Sequence, residues 1–460
     1  MRISTIQLSK IGPFDHAEMT IPEPSGSGEL VLFEGPNGSG KTTILQGLCA
    51  LLEGVFDGAF TKHNYVQVHS RFQAKDGDIG AGFDGLAEPH KTSRLALKQA
   101  NVAFFRDPAP LFSAMVRGLK DPSLGVPWGA FAYHGSYSTP SLRSEGPKDL
   151  AMNPFEEALS FSGGTLSGSI GQILTNMESA RTRARLYAME RTDPQEKSTL
   201  EARAQAQADA LQRMQEALSL VLGWQVRFQF DLDRYAPTVL FDGNPIPLEH
   251  LGEGMRRTFS WLVDLLARLE LIRWEDRSRT PMDQEFLLFL DEVDQSLHPT
   301  MQMRLMPALR RLFPRARIYA TTHSPFVVAS VEDGHVFPIR PDPVTRRVNG
   351  TIEAQRLTGG KSLETVVAEI FDVPAVFIDR KTRDALEEHK RLLEQLRSGQ
   401  PVDWPRLLET RRCLRSLGEE VWVVAAMREV PVRKQIEDKV REESHEGVPE
   451  TAQASLLGVP

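Results

Sequence analysis

Residues 30–43 read LVLFEGPNGSGKTT. The stretch Glu29 to Phe33 carries a short apolar run that ends just before Glu34-Gly35, which suits a strand buried on both faces. Residues 35–42, GPNGSGKT, fit G-x-x-x-x-G-K-[ST], and Thr43 to Leu52 read as a helix. Strand, glycine loop and helix in that order form a phosphate cradle. The glycines let backbone N–H groups approach phosphate oxygens. Lys41 supplies a point charge for the β and γ phosphates, and Thr42 offers a hydroxyl to Mg²⁺. The predicted fold is α/β around a nucleotide core. Gly35, Pro36, Asn37, Gly38, Ser39, Gly40, Lys41, Thr42 and Thr43 are the expected ATP contacts.

A phosphate loop needs an acidic partner for the metal. FLLFLDEVD, residues 286–294, supplies one. Its five apolar residues predict a buried strand with Asp291 at the C-terminal end, where α/β sheets place ligands. Asp291 is read as holding Mg²⁺ through water, together with Thr42. Glu292, one residue on, is placed to polarise the attacking water. Further along, Pro299 opens a helix at a favoured early position. Ile318 to Thr321 read as another buried strand, with His323 at its tip. A histidine there can hydrogen-bond a γ-phosphate. His298 is read as structural or interfacial.

A second glycine turn, LGEGMRR at residues 251–257, precedes the helical tract RTFSWLVDLLARL. A helix N-terminus with such a turn can attract an anion. This turn has no lysine at the gripping position, and the alternative reading of its glycines is a tight helix cap.

Around these motifs, residues 2–22 alternate apolar and polar about the turn at Gly12-Pro13, which predicts two half-buried strands. Residues 60–195 are irregular and rich in Gly, Pro and Ser, with short strands expected near Val66 and Phe131. Residues 195–222 are strongly helical, with Leu200, Leu211, Met214 and Leu218 on one side. Strands are expected at 225–231 and 238–241. After about residue 350 the chain reads as mostly helical. One solvated amphipathic helix there carries Leu386, Leu393 and Leu396.

The chain has 460 residues, 41% of them apolar and 25% charged, which is ordinary for a globular protein of two or three domains. A net charge of −7 argues against a globally basic nucleic-acid binder. Two cysteines, Cys49 and Cys413, cannot build a disulfide framework or a zinc site. No signal peptide and no apolar run of about 20 residues is present, so a cytoplasmic protein without a membrane span is expected.

LFEGPNGSGKTTIL, LGEGMRR, LLFLDEVDQSLHP and ATTHSPFVVAS together resemble the ABC-type ATPases of the OLD and RecF group, which includes the SMC-like heads. The resemblance covers residues 1–60 and 240–340 well. It implies an ATPase head with a P-loop core, an antiparallel β element near the N-terminus, a helical insert and a mostly helical C-terminal region. The implied division is 1–60 and 241–345 for the two parts of the head, 61–240 for the insert, and 346–460 for an oligomer or partner interface. By the same resemblance, Gly252, Glu253 and Gly254 act in trans on ATP held by another copy, which makes at least a dimer a requirement. The family's serine near the first glycine is missing here, so slow hydrolysis is expected. A glutamine reaching metal and water would be Gln67 or Gln73.

The tail after residue 340 has no strand-ending Glu followed by Asp-x-Asp, so the chain is read as an ATPase without a nuclease of its own. Stand-alone ATPases of this kind resemble the AriA, PtuA and retron-associated types of anti-phage systems. That resemblance implies an ATP-dependent sensor or scaffold controlling a separate effector, such as a nuclease or toxin. The alternative is a RecF-like repair ATPase that binds DNA directly through arginines at 181, 183, 185, 304, 310, 311, 315 and 317. A transporter subunit fits neither the THSP element nor the helical tail.

Overall fold

The computed structural model describes residues 1–56, 71, 77–84, 91–98, 101–106, 113–121, 123–135, 142, 144, 153–161, 170–231, 236–371 and 380–417, with 422, 425, 426, 429, 432 and 434–439. Contacts divide the chain into two compact units, Met1–Asp372 and Val373–Pro460.

The first unit opens with strands β1 (Arg2–Ile11) and β2 (Phe14–Thr20), a hairpin about Gly12-Pro13. The alternation read from the sequence puts Ile3, Ile6, Leu8 and Ile11 wholly inside. Next come β3 (Glu29–Glu34) and helix α1 (Lys41–Phe56). The helix starts two residues before Thr43, so Lys41 and Thr42 sit in its first turn. Strands β4 (Asp78–Asp84), β5 (Lys91–Lys98) and β6 (Asn101–Arg106) follow, then α2 (Ser113–Lys120) and β7 (Gly129–His134).

Two long helices come next, α3 (Ile170–Glu190) and α4 (Pro194–Leu222), packed on each other across a three-residue turn. Asp193 caps α4 by accepting from Gln195 N, Pro194 fills its first position, and Gly223 closes it in the left-handed region at φ 77°. α3 is not apparent from sequence. Its charges, Glu178, Arg181, Arg183, Arg185 and Glu190, are spread around the helix and blur any apolar stripe.

The unit continues with β8 (Val226–Asp231), β9 (Ala236–Phe241), β10 (Asn244–Pro245), α5 (Glu253–Leu271), β11 (Phe286–Asp291), α6 (Pro299–Leu312), β12 (Arg317–Thr322) and α7 (Pro325–Ala329). It ends with β13 (Asp333–Pro338), β14 (Val348–Thr351), β15 (Gln355–Thr358) and α8 (Leu363–Glu369).

The main sheet runs β15-β13-β3-β12-β11-β7. All its neighbours are parallel except the β15 edge. ELVLFE and FLLFLD are buried at every position, as strands covered on both faces must be. A second sheet, β14-β2-β1-β4-β5-β6, supplies the antiparallel element. α1 touches β11 and β12 of one sheet and β4 of the other, so it is clasped between them. A parallel α/β core flanked by an antiparallel sheet is the architecture expected from the sequence.

The buried pair Asp264–Arg268 on α5 bonds outward to both sides. Tyr133 of β7 donates to Asp264 Oδ2 at 2.9 Å, and Arg268 Nη1 donates to the carbonyls of Pro154 (2.9 Å) and Glu156 (2.7 Å). Satisfied in this way, the two charges pin α5 to the β7 edge.

In the second unit, α9 (Arg380–Arg397) packs on α10 (Trp404–Ser416). Leu392, Leu393, Leu407, Leu408, Val432 and Ile436 form its core.

Candidate functional site

Parallel register sets the site. Glu34 pairs with Thr322, and Asp291 pairs with His134, so β3, β12, β11 and β7 end on one edge. The loops that follow carry the phosphate loop, His323, Glu292 and Gly135. They frame a cleft of about 810 Å³ whose walls include Asn37, Gly38, Gly40, Lys41, Thr42, Thr43, Glu292 and His323.

The loop depends on glycine at position 40. Its φ is +96°, and a Cβ there would lie 2.4 Å from the Phe14 ring. Gly35 and Pro36 face a neighbouring cavity of about 300 Å³, shared with His323 and Arg340. Ser39 is fully buried. Lys41 Nζ donates to the carbonyls of Gly35 (2.8 Å) and Pro36 (3.2 Å). Burial lowers its pKa, while Glu292, Glu34, Asp291 and Asp294 oppose that shift.

Asp291 is wholly buried. Its Oδ1 accepts from Thr321 Oγ1 (2.6 Å) and Thr42 Oγ1 (3.2 Å). Burial raises its pKa, and the hydroxyl of Thr321 and the neighbouring His134 work against that rise. Thr321 Oγ1 also accepts from the N–H of Glu292 at 2.9 Å. One hydroxyl therefore orients both acids. Glu292 adopts φ +51°, a costly conformation for a non-glycine residue and one that gathers at functional sites. Its carboxylate approaches His323 Nε2 at 3.6 Å. Burial, then the charge on Lys41, lowers the His323 pKa, so a neutral ring with one donor and one acceptor is favoured.

The site fits a metal–phosphate group. Asp291 Oδ2 and Ser39 Oγ are buried without hydrogen-bond partners. A hard divalent cation takes oxygen ligands, and Mg²⁺ keeps waters and phosphate oxygens beside one or two protein groups. Thr42 and Asp291 have that chemistry. No cluster of three His, Cys, Asp or Glu able to hold a metal occurs among the described residues.

Three residues emerge that sequence reading does not select. His134 Nε2 stands 3.6 Å from Asp291 Oδ2. Arg71 lines the cleft and donates to Thr43 Oγ1 at 2.6 Å. Asp294 is buried, its pKa pushed up from 3.8 to about 6 by desolvation. Gln67 and Gln73, the alternative candidates for the glutamine that reaches metal and water, lie outside the described residues. His298 caps α6, its Nδ1 accepting from Thr300 N at 3.4 Å, which is a structural role.

Gly252, Glu253 and Gly254 do not line the cleft. Gly252 is the N-cap of α5 and is exposed, as is Glu253. Gly254 is buried, and a Cβ on it would come within 2.4 Å of the Ser296 carbonyl oxygen. Its lack of a side chain therefore serves packing within its own chain. Substitution at 254 tests that packing. At Gly252 an added Cβ would meet nothing within 4 Å, so a side chain there leaves the packing of its own chain undisturbed.

A carboxyl with a raised folded pKa costs stability as pH climbs from its unfolded value to its folded one, and no more above that. For Asp294 the window runs from 3.8 to about 6. Between pH 4 and 6, the thermal stability of Asp294→Asn should therefore gain on the wild type, then hold a constant offset above pH 7. Parallel melting curves across that range, with no relative gain, would show that Asp294 is not held neutral by burial.

Residues 162–329 match the family described as "AAA domain, putative AbiEii toxin, Type IV TA system", and residues 5–92 match a second family described as "AAA domain". The "Retron Ec83 probable ATPase" of Escherichia coli is 26% identical over 165 residues, 35% of this chain and 29% of that protein. The "Septu protein PtuA" of Bacillus thuringiensis is 32% identical over 83 residues, 18% of this chain and 21% of that one. The chain thus spans less than a third of either relative's length. A solved SMC head bound to the C-winged helix domain of ScpA aligns with 78% of this chain and 98% of its own, with TM-score 0.41 and 12% identity. No helix among the described residues is long and apolar enough to cross a membrane. Over the matched stretches the chain is similar in sequence to AAA-domain families, to the retron Ec83 probable ATPase and to the Septu protein PtuA.

Proposed function

We propose that this chain binds Mg·ATP in the cleft, closes on a second copy around the nucleotide, and thereby controls a separate effector in anti-phage defence. The convergence of Lys41, Thr42, Asp291, Glu292 and His323 on one sheet edge carries this reading. Loop amides and Lys41 bind the phosphates. Mg²⁺ held by Thr42 and Asp291 would neutralise charge developing on the β and γ phosphates. Glu292 takes a proton from the attacking water as its oxygen bonds the γ-phosphorus and the bond to ADP breaks. His323 donates to the γ-phosphate. The exposed N-terminus of α5 at Gly252 and Glu253, outside its own cleft, is free to face a partner's nucleotide. Without the serine at that loop, turnover is slow. The effector role rests on the retron and Septu relatives and on the ATPase core itself.

Three of the eight arginines that suggest direct DNA binding are already engaged within the chain. Arg181 is engaged by Glu178, Arg315 by Glu285, and Arg317 by the Met1 carbonyl.

Gly252→Asp tests the reading. The carboxylate should leave nucleotide binding by the isolated subunit unchanged. It should suppress ATP-dependent self-association and cut turnover about 100-fold, because it sets a negative charge where a phosphate must dock. Light scattering with and without ATP reads the first effect and phosphate release the second. Undiminished association would sink the trans assignment.

A further inference from the structure

We propose that Asp294, Gln302, Thr322 and Ser324 form a hydrogen-bonded ring that holds His323 in the cleft, making Gln302 and Asp294 positioning residues for the step at the terminal phosphate. The inference rests on the reading of His323 as the γ-phosphate contact. Thr322 Oγ1 donates to Asp294 Oδ2 at 2.5 Å and accepts from Ser324 N at 2.9 Å. Ser324 Oγ donates to Gln302 Oε1 at 2.7 Å, and Gln302 Nε2 donates back to the Asp294 carbonyl at 3.1 Å. The ring closes on residues immediately before and after His323.

The His323 side chain itself is 37% exposed, and its approach to Glu292 is loose, at 3.6 Å. A ring held so lightly takes its position from the main chain on either side, and the four-residue network fixes that main chain. Helix capping alone does not account for it. Ser324 caps α7 by accepting from Phe326 N and Val327 N, which requires neither Gln302 nor Asp294. Gln302 reaches across from α6 and also lines the cleft, so the network ties together three segments of the cleft wall. The same loop carries Ser296, whose carbonyl packs on Gly254 at the start of α5.

A double-mutant cycle on the full chain decides the matter. Gln302→Ala should lower kcat about 10-fold or more, as misplacement of a catalytic group does. It should leave the dissociation constant for a fluorescent ATP analogue within about two-fold, the mark of an interaction made only in the transition state. Gln302→Met keeps the side-chain volume and should behave the same, which separates lost hydrogen bonds from lost packing. His323→Ala should lower kcat at least as far, and adding either Gln302 change to it should cost nothing more. Additive losses, or a Gln302→Met variant with wild-type kcat, would overturn the inference while leaving the His323 reading intact. A wild-type kcat in His323→Ala would overturn that reading and the inference with it.

Discussion

Glu292→Gln should stop ATP turnover while leaving nucleotide binding intact, with a fall in kcat of about 100- to 10,000-fold, the usual worth of a positioned general base. The amide matches the carboxylate in size. The φ of +51° at this position is held from outside, by the Thr321 hydroxyl accepting from the Glu292 N–H and by the side-chain-free Gly135 beside the Glu292 carbonyl. The backbone therefore has no reason to relax. Glutamine can still reach the His323 Nε2 that stands 3.6 Å from Glu292 Oε1. Its loss is the ability to accept a proton from water. Electrostatics push binding the other way. Glu292 leads the charges opposing the burial-driven fall of the Lys41 pKa, so it adds negative potential beside the phosphate site. Removing that charge should keep ATP affinity equal or make it tighter, and the ATP-bound assembly should persist in light scattering. Wild-type phosphate release by this variant would remove Glu292 from the chemistry.

What the sequence reveals about this molecule tracks how local each feature is. GPNGSGKT and FLLFLDEVD are contiguous runs in which strand burial, glycine placement and acid position follow one another within about ten residues, and the structure brings them to the same sheet edge. α4 is legible to within a residue because Asp193, Pro194 and Gly223 punctuate it. β7 reads only as a short strand near Phe131. Its place beside β11 comes from parallel pairing across about 150 residues of sequence, which no local pattern encodes. His134 therefore carries no mark of its closeness to Asp291. Arg71 is hidden for the same reason, since its bond to Thr43 joins segments with no shared periodicity. Gly254 shows the opposite difficulty. Its motif is plain, but the pressure that keeps it a glycine, the Ser296 carbonyl, lies 42 residues downstream. A glycine motif read as a ligand loop can thus be a packing requirement at one of its two glycines and an exposed cap at the other.

Lys41→Ala should abolish useful nucleotide binding, weakening it by about 100-fold or more, since truncating one partner of a buried charge pair costs roughly 2–5 kcal/mol. Lys41 is only 4% exposed, and its ammonium is steered into the loop by the carbonyls of Gly35 and Pro36. A guanidinium is planar and wider, and does not fit where a compact ammonium bonds two adjacent carbonyls, so Lys41→Arg should fail as well. The loss is also electrostatic. Glu292, Glu34, Asp291 and Asp294 all bear on Lys41, and without it their negative potential near the phosphate site is opposed by one cation fewer. Thermal melting separates this from misfolding. A ligand at 100 times its dissociation constant stabilises a folded protein by about 2.7 kcal/mol, so wild-type melting should rise with Mg·ATP and the variant's should not. The two should melt at similar temperatures without nucleotide, because the alanine also removes a cation that burial disfavours. If Lys41→Ala kept the ATP-induced rise, residues 35–42 would be a structural turn and the nucleotide would have to be sought elsewhere.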